Sequence, residues 1–301
     1  MKVGFSEKLN SIEGSGKHKF LYRLSRSLKG MGIKIDSKHP NIYLILPGHD
    51  LKKGCKNILR LDGLIINKDM DLKKNDSLLK QAKKCEAVIY QNDFCKSAYE
   101  NFLGLHHKMS TCIINGASPD EFLPRAPKNF FLASCRWRPH KRLSNIVSGY
   151  LLARGKGLKS DLIVAGEVDF KSKNKHIKYI GWQNSDQLKQ LLSSALATIQ
   201  LTWVDWCPNS MVESIVAGCP VIYSNSGGHP LIANGCGIPI SDVQWNYNVC
   251  DYYNPPKLND EEISGAMLSM ESNPISVSNL SLNIENVAKE YISFFRKVLV
   301  T

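Results

Sequence analysis

The stretch Asp205-Trp-Cys-Pro-Asn-Ser-Met-Val-Glu213 runs directly into Ser-Ile-Val-Ala-Gly-Cys-Pro-Val-Ile222. The run at 197–201 ahead of it is a strand candidate. Residues 209–217 carry a helix pattern closed by Gly218, and 220–223 is apolar again. Strand, loop, helix and strand in that order make the repeating unit of a parallel sheet. Working outward, 130–135 is a short apolar strand followed by a basic turn and a helix from about Leu143. Further strands fall at 161–165 and 177–180, and Leu188, Leu191 and Leu192 mark an amphipathic helix over 185–195. The second half therefore reads as a doubly wound α/β domain. Ligands of such sheets sit at the carboxyl ends of strands, beside helix N-termini.

The first half follows the same plan. Strands are predicted at 2–5, 42–46, 63–66, 87–90 and 112–114. Gly14-Ser-Gly16 forms a turn before a helix at 17–29, with Phe20, Leu21, Leu24 and Leu28 on one face. A polar linker at 119–128, bracketed by Pro124 and Pro127, separates the halves, and a last helix covers 284–298. The expected organisation is a short first domain (1–123), a second domain (124–283) and a terminal helix (284–301) packing back on the first.

With 43% hydrophobic and 22% charged residues, the 301-residue chain has a globular composition. Its charge is unusual, with 39 Lys+Arg against 27 Asp+Glu and a net of +12. Residues 1–125 hold 22 basic and 13 acidic side chains, and the remainder 17 and 14. Nine cysteines, scattered and without a CxxC, argue against a zinc site or a disulfide framework and suit a reducing compartment. MKVGFSEKLN lacks the apolar stretch of a signal peptide, and no run of 18 apolar residues occurs. A cytoplasmic protein, at most peripheral to a membrane, is expected.

Two constellations carry chemistry. In the first, Asp205 stands in the loop before a helix and Glu213 eight residues on, inside it. Asn209 or Ser210 suits the N-cap, and the N–H groups of Ser210, Met211 and Val212 would then favour an anion. Glu213 could bond a ribose diol and Asp205 sugar hydroxyls; equally, Glu213 could pair with a nearby base and Asp205 be solvated. The second is Arg136-Trp-Arg-Pro-His-Lys-Arg142, at the end of the strand at 130–135. Arg136 supplies a planar fork and Lys141 a point charge, a combination suited to a diphosphate; a solvated basic turn is the plain alternative.

Together these motifs resemble the retaining GT-B glycosyltransferases of family 4, strongly over 115–240 and faintly before. The family's Arg/Lys pair resembles Arg136 and Lys141. Its E-x7-E motif resembles Asp205 to Glu213, with Asp in place of the first Glu. Its tail resembles Ala217-Gly-Cys-Pro-Val-Ile222 and Gly227-Gly228. Asn115-Gly116 with Phe122 is similar to its interdomain segment, and Gln91-Asn-Asp-Phe-Cys-Lys-Ser97 to the turn before it. The resemblance implies two facing Rossmann-like, doubly wound domains with a cleft between them. It implies metal-independent transfer of a sugar, with retention, from a nucleotide-diphosphate donor such as a UDP- or GDP-sugar to a hydroxyl of a glycan, glycolipid or glycoprotein. The nucleotide-sugar is a substrate, so no cofactor is expected. Arg136 and Lys141 would stabilise the leaving diphosphate, Glu213 would hold the ribose, and Asp205 with the backbone at 207–210 the donor sugar. Gly181 and Trp182 would lie near the base, and His49 is the best candidate for the family's histidine, a structural role being its alternative.

Gly14, Gly16, Arg60 and Asp62 are candidates for the acceptor or phosphate loop, although Arg60 and Asp62 could simply pair. Gly14-Ser-Gly-Lys17 has the wrong spacing for a P-loop, and Asp69-Met-Asp71 stands among lysines as a solvated turn rather than a metal site. No nucleic-acid module accompanies the lysines at 52–84, so no nucleic-acid partner is expected. The helix at 17–29 is either packed with a solvated face, or it places the first domain on anionic lipid or a charged acceptor. A non-catalytic nucleotide- or sugar-binding module on the same fold is the rival to an enzyme, with a nucleic-acid-binding protein third.

Overall fold

The computed structural model describes residues 1–12, 14–123 and 125–301. Pro124, read as one end of the linker, lies outside them. Two compact units emerge: Met1–Ser118 with Asn246–Cys250 and Ser281–Thr301, and Pro119–Trp245 with Asp251–Leu280.

The first unit runs β1 (Lys2–Phe5), α1 (Gly16–Gly30), β2 (Lys34–Ile35), β3 (Ile42–Ile45), β4 (Lys56–Arg60), α2 (Lys73–Lys84), β5 (Ala87–Tyr90), α3 (Asp93–Leu103) and β6 (Ser110–Cys112). The strands form one parallel sheet in the order β2-β1-β3-β4-β5-β6. The predicted strand at 63–66 is not one. Asn75 of α2 binds both the N–H (3.1 Å) and the C=O (2.7 Å) of Ile65, doing for that segment what a neighbouring strand would do. The strand in this region is β4, with the polar sequence KNILR. The apolar face of α1 is spent in the core, Phe20, Leu21, Leu24 and Leu28 being fully buried. The packed reading of that helix therefore holds, and the face is closed to a membrane. The terminal helix, Ile284–Val300, completes this core with Val287, Tyr291 and Phe295. Asn246–Cys250 joins the same unit through hydrogen bonds from Lys68 to Cys250 and from Cys250 to Ile66, both 2.9 Å.

The second unit comprises β7 (Phe130–Ser134), α4 (Leu143–Gly155), β8 (Asp161–Ala165), β9 (Ile177–Gly181), α5 (Ser185–Ser194), β10 (Ala197–Gln200), α6 (Asn209–Val216), β11 (Val221–Ser224), α7 (His229–Ala233), β12 (Gly237–Ile240) and α8 (Asp260–Ser272). Its sheet is parallel too, in the order β12-β11-β10-β7-β8-β9. Strand β7 reads as a near-continuous apolar run and β10 is buried throughout, Thr198 and Gln200 included. The strand order reverses between β7 and β10, which makes their carboxyl ends the expected ligand crevice of this unit.

Candidate functional site

A cavity of about 720 Å³ opens at those strand ends, in the second unit. Ser134 to Trp137 reach it from the end of β7, Ala165 to Glu167 and Asp169 from β8, Trp182 and Gln183 from β9, and Ser210 and Glu213 from α6. Of the predicted donor residues, the chain thus brings Arg136, Trp182, Ser210 and Glu213 to one recess. Arg136 is exposed and, among the described residues, has no ion-pair partner. Trp182 is 71% exposed; its N–H donates to Glu167 Oε1 at 3.2 Å, which fixes the backbone of the turn after Gly181. The ends of β7 and β8 approach so closely that a Cβ on Gly166 would lie 2.2 Å from the Cys135 carbonyl oxygen. Burial pushes the Cys135 thiol up to about 12, so it lines the recess as a neutral group.

The predicted N-terminus of α6 needs correction. The N-cap is Pro208, not Asn209 or Ser210. The N–H groups of Met211 and Val212 both turn back to the Pro208 carbonyl, at 3.0 and 3.2 Å, and their side chains are buried. Of the three amides expected to face an anion, only that of Ser210 is left, among the described residues.

Lys141 and Asp205 meet each other: Lys141 Nζ donates to Asp205 Oδ2 at 2.7 Å, with side-chain exposures of 22% and 17%. Burial is the strongest single influence and works to raise the Asp205 carboxyl, but the charge and hydrogen bond of Lys141, with the neighbouring histidines, together hold the group below the usual carboxylate value. Burial likewise opposes the Lys141 ammonium, and Asp205 overcomes it, so its pKa stands above that of ordinary lysine. The pair is ionised across the neutral range. The Asp205 backbone is seated by Gly228, whose N–H donates to the Asp205 carbonyl at 2.7 Å. Gly227 has φ of 62°, and a Cβ there would lie 2.6 Å from the Asp205 carbonyl oxygen.

Arg142, the last cation of the basic run at 136–142, is held elsewhere. It is buried in a two-pronged pair with Asp242 (2.6 and 2.9 Å) and also donates to the carbonyls of Leu201 and Pro256. His140 stacks on Tyr252 with ring centroids 4.3 Å apart, and burial, followed by the Lys141 charge, pushes it down to about 4. His229 is fully buried beside Asp205, its Nδ1 3.0 Å from the Ser226 carbonyl, and burial lowers its pKa as well. Both rings are neutral at pH 7.

The remaining predicted residues lie in the first unit. His49 follows β3, with Nε2 3.9 Å from Glu7 Oε1. Gly16 begins α1, Gly14 packs against the His18 ring, and His18 Nδ1 lies 3.2 Å from Glu7 Oε2. Arg60 and Asp62 take the pairing alternative. Arg60 has no exposure and bonds Asp62 and Asn115, the latter at 2.5 Å; it is a core residue and does not face a ligand. Asp69 and Asp71 are exposed, and Asp71 accepts from the Lys73 N–H at the start of α2. Among the described residues, no group of His, Cys, Asp or Glu could hold a metal ion, and no helix is long and apolar enough to cross a membrane.

The sequence reading missed Glu167, Asp169 and Trp137 in the recess and the buried His140, His229 and Asp242 around the Lys141–Asp205 pair. The strand-end rule applied to the run at 161–165 would have found Glu167, which follows it after one glycine.

Sucrose-phosphate synthase of Thermosynechococcus elongatus matches 99% of this chain over 99% of its own, with a TM-score of 0.73 and 11% identity. HepE of Anabaena, in complex with UDP-glucose, matches 99% of the chain over 98% of its own, with a TM-score of 0.66 and 12% identity. AviGT4, a glycosyltransferase involved in avilamycin A biosynthesis, does so over 99% and 98%, at 0.64 and 13%. The chain has the GT-B glycosyltransferase fold. No family model and no curated protein matches its sequence.

Proposed function

We propose that the chain is a metal-independent glycosyltransferase that moves a sugar, with retention, from a nucleotide-diphosphate donor to a hydroxyl of a glycan or lipid-linked acceptor. The observation that carries this reading is the recess at the β7 and β8 ends, where Arg136, Trp182, Ser210 and Glu213 converge; the Lys141–Asp205 pair is not part of its lining, but its charges act on Cys135 in the recess wall. A base would stack on the exposed Trp182, and Glu213 would take the ribose hydroxyls. Arg136 and a Lys141 shared with Asp205 would neutralise the diphosphate as it leaves. Charge stabilisation of that kind in a recess is commonly the largest contribution to rate. A protein of the same fold, HepE, has been solved with UDP-glucose, which supports a donor of this class.

A thermal-shift panel of UDP, GDP, ADP and their sugars, followed by turnover in excess EDTA, tests the reading. One nucleotide should stabilise the chain by mass action, and transfer should survive the chelator. Failure of every nucleotide to bind would overturn it. Tight binding without transfer or donor hydrolysis would favour a non-catalytic binding module, a second reading motivated by the Asp at 205 being already engaged by Lys141.

A further inference from the structure

A second cavity, about 600 Å³, lies wholly within the first unit. It is bounded by the turn after β3, by Gly63 and Ile65, and by the face of α2 that carries Lys74, Ser77, Leu78, Gln81 and Lys84. Two side chains of α2 hold its walls in place. Gln81 accepts from the Gly48 N–H at 3.1 Å and donates to the His49 carbonyl at 2.6 Å. Buried Asn75 clasps both backbone groups of Ile65. The recess is therefore formed before any ligand arrives.

Its lining is amphipathic, with Leu51, Ile65 and Leu78 beside Lys74, Lys80 and Lys84. Asp50 is the one carboxylate among the lining residues. None of the three lysines has an ion-pair partner among the described residues. A neutral sugar would call for more acceptors than this wall offers, and a flat lipid surface would not fill a concave pocket. An unmatched cationic rim over an apolar floor suits an oxyanion carried on a small organic body.

We propose that this cavity binds an anionic group of the acceptor, of the phosphate-ester class. The acceptor assignment rests on the glycosyltransferase reading, whereas the binding of the anion does not. The large positive charge of residues 1–125 then has a local use at the α2 face.

Calorimetric titration with glucose 6-phosphate, and with glucose as the neutral control, tests this without a donor. The full-length protein should bind the first and ignore the second. A K74A/K80A/K84A variant should bind glucose 6-phosphate about a hundredfold more weakly, at about fivefold per charge removed. Alanine is a strong helix former, so α2 should persist, as circular dichroism would verify. A K29A/K34A/K38A variant, equally reduced in charge on exposed residues elsewhere, should bind as the parent does. No binding by the parent, equal binding by the α2 variant, or equal weakening in the control variant would overturn the proposal. So would α2-lysine-dependent sedimentation with phosphatidylcholine/phosphatidylglycerol vesicles by a protein that ignores glucose 6-phosphate. UDP and GDP are titrated separately. Glucose 6-phosphate binding without nucleotide binding removes the glycosyltransferase reading and leaves the site; the reverse removes only the site.

Discussion

Separating stability from ligand binding at the Lys141–Asp205 pair is the sharpest test of the proposed donor site. At 2.7 Å the two charges attract by about 6 kcal/mol at an effective dielectric near 20. Desolvation of both groups offsets most of that. The pair is neither exposed, where about 0–1 kcal/mol is usual, nor fully buried, where removing one partner costs about 3–5 kcal/mol. Lys141→Met or Asp205→Asn alone should therefore destabilise by about 2 kcal/mol, read as a lower urea midpoint at unchanged slope. The double variant leaves no lone charge and should recover at least about 1 kcal/mol of the summed loss. Nucleotide-diphosphate affinity should behave differently. Lys141→Met loses a charge-assisted bond worth about 1.5–3 kcal/mol, so affinity falls by about tenfold to a hundredfold, and the double variant stays as weak. Asp205→Asn alone should retain diphosphate binding, since it removes the competitor for the lysine, while abolishing transfer. The pH dependence has two edges. Asp205 is depressed in the folded state, so its contribution is present above about pH 4 and is lost as pH falls through the folded pKa. Lys141 is raised, so its contribution is present below about pH 10 and is lost as pH rises through the folded pKa. Additive losses in the double variant, or diphosphate affinity unchanged by Lys141→Met, would refute the reasoning.

Arg142→Met leaves Asp242 as an unmatched buried carboxylate and should destabilise by about 3–5 kcal/mol in urea unfolding. Trp182→Ala removes a mostly exposed ring, so stability should change by less than about 0.5 kcal/mol, while calorimetry should show nucleotide affinity reduced by about 1–3 kcal/mol. Gly227→Ala forces a side chain into a left-handed position against the Asp205 backbone, and should lower stability by more than about 1 kcal/mol in the same unfolding assay. His140, held down to about 4, should show ring proton shifts in NMR that stay constant from pH 6 to 8.

What could be read in the sequence divides along physical lines. Strands β7 and β8 announce themselves because their largely buried positions are filled mostly by apolar residues. Strand β4 does not, because its last residue is a buried arginine whose charge is met by Asp62 and Asn115, partners no local pattern reveals. The converse error at 63–66 has the same origin: apolar residues buried without a ladder, their backbone satisfied by Asn75. Helix α2 went unread because Lys73–Lys84 buries only Asn75, Leu78 and Ala82. Four of the predicted donor residues, Arg136, Trp182, Ser210 and Glu213, line the recess. Glu167, His229 and Asp242 went unread, because they arrive from the ends of other strands. The amides of Met211 and Val212 were misjudged because Pro208 takes the cap position and its carbonyl closes the first turn.

The basic run at 136–142 illustrates how charge on a sequence differs from charge available to a ligand. Of its cations, Arg142 is consumed by Asp242, and Lys141 is shared with Asp205. Only Arg136 reaches the recess without an ion-pair partner among the described residues. The buried arginine still contributes, though indirectly. It sits at φ of 56°, a left-handed position that a non-glycine residue holds only under constraint. Its bonds to Asp242, Leu201 and Pro256 supply that constraint and tie the turn after β7 to the ends of neighbouring strands. That turn carries Lys141 as the preceding residue, so the fixed cation sets the backbone from which Lys141 projects. In the proposed reading, such a division, with one arginine locked and Arg136 left to meet the diphosphate, would reduce the ordering that binding must supply.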